Sequence, residues 1–178
     1  AIIGATGDLG SQLAKELLNK GYKVTVSVRP ESIGKLTRMG SKGGAVHVLK
    51  GTVFSIDNLK QLIALNSTIF QMAAMISLSI DRKDYGRALA VNGFSQGLIT
   101  GLIKRANREG KVRLIYPATQ RVTLISDRED VNDWADKAVA ASDSVFNDLD
   151  GSNDDVSERV MGFADRFIAG NPMPEGVN

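Results

Sequence analysis

Short apolar runs and amphipathic segments alternate along the first 122 residues of the chain. Five segments have the apolar clustering or the strict alternation typical of β-strands, at 1–3, 23–28, 45–49, 67–74 and 112–116. Three segments have helical spacing of apolar positions, at 8–20, 56–65 and 84–107, and the first of these stripes begins at Leu9. Strands and helices that alternate in this way build a parallel sheet with helices on both faces. We therefore predict an α/β doubly wound fold.

The remaining residues, 123–178, differ in pattern and in charge. Two amphipathic helices are predicted there, over about 131–149 and about 156–168. Residues 1–122 hold 18 Lys+Arg against 7 Asp+Glu, a net charge of +11, whereas residues 123–178 hold 4 against 13, a net charge of −9. The basic part suits a polyanionic ligand such as a nucleotide. We interpret 123–178 as an acidic helical segment, either an insertion or the start of a substrate-binding part.

Composition excludes several classes of protein and site. The chain has no cysteine, so a disulfide framework, a thiolate nucleophile and a cysteine-based zinc site are excluded. His47 is the single histidine, which excludes a multi-histidine metal cluster, and no metal is expected. No apolar run approaches the ~18–20 residues of a membrane helix, and no basic run is interleaved with aromatics. We therefore expect neither membrane nor nucleic-acid partners and, without a targeting signal, a cytoplasmic location.

The strongest motif is the glycine-rich segment Gly4–Gly10, which follows the first strand and opens the first helix. In a dinucleotide site of the Rossmann type, one glycine permits a sharp turn, a second admits the pyrophosphate, and a third lets the helix pack on the sheet. The helix N-terminus then favours phosphate, and we expect Asp8 to cap it. A glycine-rich turn without a ligand is the alternative. The residues assigned to the cofactor are Gly4, Thr6, Gly7, Asp8, Leu9 and Gly10.

The end of the second strand selects between the two nicotinamide dinucleotides. NAD sites usually have Asp or Glu there, bound to the ribose hydroxyls. In this chain the strand ends Val28-Arg29-Pro30, with no acid at its tip. Arg29 can form charge-assisted hydrogen bonds with a 2′-phosphate, so we predict NADP(H) as the preferred cofactor and keep NAD(H) as the alternative. An ordinary surface arginine is the competing interpretation.

Five motifs together resemble the short-chain dehydrogenase/reductase superfamily, in its extended epimerase- and dihydroflavonol-reductase-like branch, over about residues 1–122. They are Gly4–Gly10, Val28-Arg29-Pro30, Phe70-Gln71-Met72-Ala73-Ala74, Val91-Asn92-Gly93 and the stretch from Tyr116 to Val122. The resemblance implies that Ala73 and Ala74 leave room for the cofactor. It also implies that Asn92 organises a proton relay and that the Thr119 hydroxyl binds the substrate carbonyl or alcohol. The family usually carries Asp after the third strand, where this chain offers the Thr52 hydroxyl and the Val53 backbone to the adenine.

The family's general acid is a tyrosine followed four residues later by a lysine, which lowers the tyrosine pKa for proton transfer. The tyrosines of this chain are Tyr22, Tyr85 and Tyr116, and four residues beyond them stand Val26, Leu89 and Gln120. Three explanations remain open. The pair lies beyond Asn178 in a longer protein, or the domain binds a dinucleotide without catalysis, or another acid replaces the tyrosine.

The function that the resemblance implies is an NADP(H)-dependent oxidoreductase. It transfers a hydride between the nicotinamide and a carbonyl or alcohol carbon of a small organic substrate, and epimerases and dehydratases of the same family use the same step transiently. The alternative is a non-catalytic NADP(H)-binding redox sensor or interaction module. Expected partners are a small-molecule substrate and, through the helix at 84–107, a second copy of the chain.

Overall fold

A five-stranded parallel sheet forms the centre of the protein. The computed structural model describes residues 1–39, 45–75, 81–117, 128–149 and 154–175. The strands are β1 (Ile2–Ile3), β2 (Val24–Val28), β3 (Val46–Lys50), β4 (Thr68–Gln71) and β5 (Arg113–Ile115). They lie in the order β3-β2-β1-β4-β5 and every pair is parallel. The strand order therefore reverses between β1 and β4, which is where ligands bind in such sheets.

Six α-helices flank the sheet in the described residues. They are α1 (Asp8–Asn19), α2 (Ile56–Leu65), α3 (Tyr85–Leu89), α4 (Ser95–Arg105), α5 (Glu129–Asp148) and α6 (Ser157–Gly170). Two 3-10 helices span Pro30–Met39 and Arg82–Asp84. A single π-helical turn, Ala90–Phe94, joins α3 to α4. The segment 84–107, predicted as one helix, is thus helical for most of its length. Its apolar periodicity does not reveal the π turn in its middle.

The helices bury both faces of the sheet, as the doubly wound prediction requires. On one face, Ala14 and Leu18 of α1 pack with Val24 and Val26 of β2. On the other face, α2, α4, α5 and α6 share one core, which includes Leu62, Ile99, Phe146 and Val160. All five residues of β2 are buried because both of its faces are covered. The prediction of a parallel α/β sheet with helices on both faces is confirmed.

The acidic C-terminal helices belong to this second core. Gly97 of α4 allows a close crossing with α5, because a Cβ there would lie 2.6 Å from the Phe146 ring. Gly86 of α3 allows a close crossing with α6, because a Cβ would lie 2.9 Å from the backbone nitrogen of Asp165. The helices predicted for 131–149 and 156–168 are present at Glu129–Asp148 and Ser157–Gly170. Their origin as an insertion or as part of a substrate domain remains a prediction.

The start of α1 corrects two details of the sequence prediction. Gly7 is the N-cap residue and no side chain caps the helix, so the prediction that Asp8 does so is wrong. The predicted apolar stripe includes Leu9, yet Leu9 is 58% exposed, and the buried residues of α1 are Gly10, Ala14 and Leu18. The buried face of α1 therefore begins at Gly10 and not at Leu9. Among the described residues, no helix combines the length and the apolar character that crossing a membrane requires.

Candidate functional site

An open cleft of about 640 Å³ lies along the carboxyl ends of the central strands. It runs from the segments after β2 and β3, past the loop after β1, to the segment after β4, and so covers the point where the strand order reverses. Eight of the residues that the sequence assigns to the cofactor line this cleft: Gly4, Thr6, Gly7, Arg29, Thr52, Val53, Ala73 and Ala74.

The three glycines of the loop differ in what surrounds them. Gly4 has φ +82°, and a Cβ there would lie 2.6 Å from the backbone nitrogen of Ala73. A Cβ on Gly10 would overlap the carbonyl oxygen of Gly4, so α1 packs directly on the loop. At Gly7, which is extended, the nearest atom to a Cβ is the Gly4 carbonyl oxygen at 3.5 Å. Packing therefore demands glycine at the first and third positions, whereas the second has open space beside it.

Two of the predicted cofactor residues lie at the outer surface of the loop. Asp8 and Leu9 are exposed residues of the first turn of α1, and neither lines the cleft. The backbone N–H groups of this first turn have no partner within the helix, whose ladder begins with the bond from Ser11 N to Gly7 O at 2.9 Å. The start of α1, next to the cleft-lining Gly7, thus has backbone donors available, whereas the side chains of Asp8 and Leu9 lie outside the cleft lining.

An ion pair stands at the end of β2. Nη1 of Arg29 lies 3.0 Å from Oε1 of Glu31, and both side chains line the cleft. The side chains are 56% and 62% exposed, so the pair contributes at most about 1 kcal/mol and is easily opened. The sequence prediction considered only the strand tip and missed Glu31, although its position two residues after Arg29 was a usable signal.

A buried glutamine shapes the segment after β4. Gln71 is 2% exposed, and its Oε1 accepts a hydrogen bond from Ala73 N at 3.1 Å. Its Nε2 donates to Ser95 Oγ at 3.0 Å, and Ser95 Oγ donates to the Val91 carbonyl at 2.7 Å. This chain of hydrogen bonds ties the cleft-lining turn at Ala73 to the π turn. Sequence reasoning missed Gln71 as a structural residue, although one of the five motifs contains it.

Asn92 lies in the π turn and contacts the backbone of Met75 twice. Its Oδ1 accepts from Met75 N at 2.7 Å and its Nδ2 donates to Met75 O at 2.9 Å. Its own carbonyl accepts from Gln96 Nε2 at 2.8 Å. The side chain thus fixes the end of the segment after β4, where Met75 lines the cleft, and Asn92 itself does not line it. Thr119, the other residue predicted to be catalytic, lies outside the described residues.

The side of the cleft after β3 contacts the acidic segment. Thr52 Oγ1 donates to Asp155 Oδ2 at 2.6 Å and accepts from Phe54 N at 3.0 Å. Ser157 and Met161 of α6 line the cleft. Burial raises the pKa of Asp155, but hydrogen bonds from Ser157 and Thr52 outweigh it and hold the pKa below its ordinary value. No sequence signal indicated that these C-terminal residues reach the cleft.

A sequence model described as the NAD dependent epimerase/dehydratase family matches residues 1–122. The chain belongs to this family. The resemblance drawn from the five motifs is thereby confirmed, and with it a nicotinamide dinucleotide as the kind of cofactor that the family uses. The match covers β1 to β5 and thus every segment that lines the cleft except the start of α6.

Known proteins similar to the chain are reductases, epimerases and dehydrogenases. Anthocyanidin reductase from Arabidopsis thaliana is 24% identical over 155 residues, which are 82% of this chain and 45% of the reductase. The chain therefore spans less than half the length of that relative. The structure of UDP-glucose-4-epimerase from Stenotrophomonas maltophila, with bound NAD, has a TM-score of 0.55 and 17% identity, covering 68% of this chain and 37% of the epimerase. A ketone-specific alcohol dehydrogenase from Comamonas testosteroni has a TM-score of 0.56 and 12% identity, covering 83% and 64%. At these sequence identities, the two solved structures show similarity of fold only.

Proposed function

We propose that the cleft binds NADP(H) and that the protein is an oxidoreductase of the extended short-chain type. It would transfer a hydride between the nicotinamide and a carbonyl or alcohol carbon of a small organic substrate, as a reductase or within an epimerase or dehydratase cycle. One observation carries the proposal. Gly7 presents a backbone free of side chain to the cleft at the switch point, between two glycines that the fold itself requires.

The residues present fit a dinucleotide. The N–H groups at the start of α1 suit the diphosphate, and the small side chains of Ala73 and Ala74 leave the floor of the cleft open. When bound, the nicotinamide supplies the carbon that gives or takes the hydride. Arg29 at the end of β2 supplies a cation for a 2′-phosphate, and it would leave Glu31 to do so.

Asn92 and Thr119 serve the reaction in different ways under this proposal. Asn92 acts as a positioning residue, because both polar atoms of its side chain hold the backbone of Met75 at the cleft. Thr119 would present its hydroxyl to the substrate oxygen. Proton transfer needs a general acid as well, and none of the three tyrosines of this chain has a lysine four residues later.

The second candidate function is an NADP(H)-binding sensor or interaction module without turnover. Both candidates require cofactor binding, so binding alone does not separate them. We expect the oxidoreductase to oxidise NADPH in the presence of at least one member of a panel of aldehydes and ketones. Binding without oxidation of NADPH by any member of the panel, measured on a verified full-length chain, would favour the sensor.

Arg29→Ala tests the cofactor preference. A hydrogen bond to a charged group contributes about 1.5–3 kcal/mol, so we expect NADPH binding to weaken by roughly tenfold or more and NADH binding to stay nearly constant. Glu31→Gln should strengthen NADPH binding by about threefold, because the exposed pair that competes for Arg29 is worth at most about 1 kcal/mol. Titration of cofactor fluorescence measures both affinities.

The control for Arg29→Ala is Lys20→Ala, which removes an exposed cation after α1 and outside the cleft lining. It should leave both affinities unchanged. Equal losses of NADPH and NADH binding in Arg29→Ala would contradict the assignment of Arg29 to the 2′-phosphate.

A homodimer through 84–107 and a cytoplasmic location remain predictions of the sequence. Helix α5 packs on α4 where Gly97 meets Phe146. A second copy of the chain would therefore have to pack against another face of α4.

A further inference from the structure

The C-terminal segment joins the loop after β3 by backbone hydrogen bonds. Val156 N donates to Phe54 O at 3.1 Å, and Ile56 N donates to Asp154 O at 3.2 Å. These two bonds flank an antiparallel bridge between Ser55 and Asp155. The segment thus adds a short extended stretch beside the loop whose residues 52–54 line the cleft.

The carboxylate of Asp155 accepts hydrogen bonds from both sides of this junction. Its Oδ2 accepts from Thr52 Oγ1 at 2.6 Å and from Ser55 Oγ at 2.8 Å. Its Oδ1 accepts from the backbone nitrogen of Ser157, at the start of α6, at 2.8 Å. Hydrogen bonds to a carboxylate are about twice as strong as neutral ones. Asp155 therefore fastens the loop to the first turn of α6.

The two hydroxyls bound by Asp155 also hold the loop backbone. Thr52 Oγ1 accepts from Phe54 N at 3.0 Å, and Ser55 Oγ accepts from Thr52 N at 2.9 Å. Each hydroxyl donates to Asp155 and accepts from a backbone N–H of the loop, so the carboxylate fixes the orientation of both hydroxyl groups. Loss of the carboxylate would loosen both hydroxyls together with the backbone that they hold.

Helix α6 continues from this junction along the cleft to α3. Ser157 and Met161, one turn apart, line the cleft, and Asp165 one turn further lies against Gly86 of α3. Eight residues of helix rise about 12 Å, so α6 connects the β3 side of the cleft to the far side. Its inner face is anchored in the core by Val160, which is fully buried.

We propose that Asp155 is a positioning residue of the cofactor site, through which the acidic segment fixes the loop 52–55 at the adenosine end of the cleft. The inference rests on the proposed function, because Arg29 at the end of β2 identifies that end. Strands β2 and β3 are neighbours in the sheet, so Arg29 and Thr52 lie on the same side of the cleft. The acidic segment is then part of the cofactor site and is needed for full affinity.

Asp155→Asn tests this role with two probes, NADP⁺ and adenosine 2′,5′-bisphosphate, each titrated by calorimetry. The amide has only one acceptor oxygen, so it can accept from the two hydroxyls or from the Ser157 nitrogen but not from both sides of the junction, and it lacks the charge. We expect both probes to bind about tenfold more weakly, and by the same factor, because the loss of roughly one charged hydrogen bond falls on the adenosine half that they share. The matched control is Asp154→Asn, an exposed neighbour whose carboxylate forms no hydrogen bond with the described residues.

Thermal unfolding of each variant, monitored by circular dichroism, ensures that the titrations are made on folded protein. If Asp155→Asn does not fold, Ser55→Ala removes one of the two hydroxyls and should weaken both probes by about threefold, the loss of one modest hydrogen bond. Wild-type affinity in a folded Asp155→Asn, or in Ser55→Ala where it replaces that variant, would overturn the inference. An equal loss in Asp154→Asn would overturn it too. Failure of the wild-type protein to bind either probe would instead overturn the proposed function, and the inference with it.

Discussion

Gly7→Ala is expected to weaken NADPH binding by about a hundredfold while the protein stays folded. Gly7 lines the cleft and has φ −76° and ψ 169°, which alanine adopts without strain. Its added Cβ would meet only the Gly4 carbonyl oxygen, at 3.5 Å, and would occupy the space through which the diphosphate approaches the backbone. The free energy of unfolding should change by less than about 1 kcal/mol, because the restriction that alanine places on the unfolded chain is offset by its poorer N-capping of α1. Fluorescence titration and urea unfolding measure the two effects separately.

Gly101→Ala is the control for this substitution. Gly101 lies inside α4, and the space that a Cβ would take there is open to 4 Å, so alanine should raise the free energy of unfolding by about 0.5–1 kcal/mol. NADPH affinity should not change, because Gly101 is outside the cleft lining. Unchanged NADPH affinity in Gly7→Ala would contradict the placement of the diphosphate beside Gly7.

Gly4→Ala is expected to lower the free energy of unfolding by about 3–5 kcal/mol, enough to unfold a domain of marginal stability. Gly4 has φ +82°, and its Cβ would lie 2.6 Å from Ala73 N and 2.9 Å from the carbonyl carbon of Met72. Both are backbone atoms, and the buried side chain of Gln71 holds the turn at Ala73 by a hydrogen bond, so the neighbour cannot move aside cheaply. Equilibrium urea unfolding measures the loss.

Gly21→Ala separates the two causes of that loss. Gly21 has φ +80°, nearly the value at Gly4, but nothing lies within 4 Å of its Cβ position. The substitution therefore carries only the cost of the left-handed backbone, about 1–2 kcal/mol. Equal destabilisation by Gly4→Ala and Gly21→Ala would show that the close approach of β1 and β4 contributes nothing.

Local patterns were sufficient to predict the strands and the main α-helices of this fold. The apolar spacing predicts α2 over 56–65, and the helix spans Ile56–Leu65. Alternation of valine predicts β2, but it does not show that both faces are covered, because Thr25 and Ser27 between the valines are buried as well. The π turn at Ala90–Phe94 was not predictable in this way, since one extra residue in a helical turn barely disturbs the periodicity.

The candidate site was predictable where one segment supplies both the residue and its role. Gly4 and Gly7 lie in a motif that follows a strand and precedes a helix, and both line the cleft. The residues that were missed act through partners distant in sequence. Gln71 contacts Ser95, 24 residues later, and Asp155 contacts Thr52, 103 residues earlier. Polar residues of this kind are exposed in most proteins, so only the fold reveals their contacts.

Titration of the unmodified protein with NADPH and, separately, with NADH tests directly whether the cleft binds a nicotinamide dinucleotide and which one it prefers. We expect saturable binding of both, with NADPH bound roughly tenfold or more tightly because Arg29 adds a charged hydrogen bond to the 2′-phosphate. Saturable binding with NADH the tighter ligand would contradict the assigned preference and point to Glu31 as the residue that contacts the ribose. Absence of binding by either dinucleotide would contradict the claim that this cleft is a cofactor site.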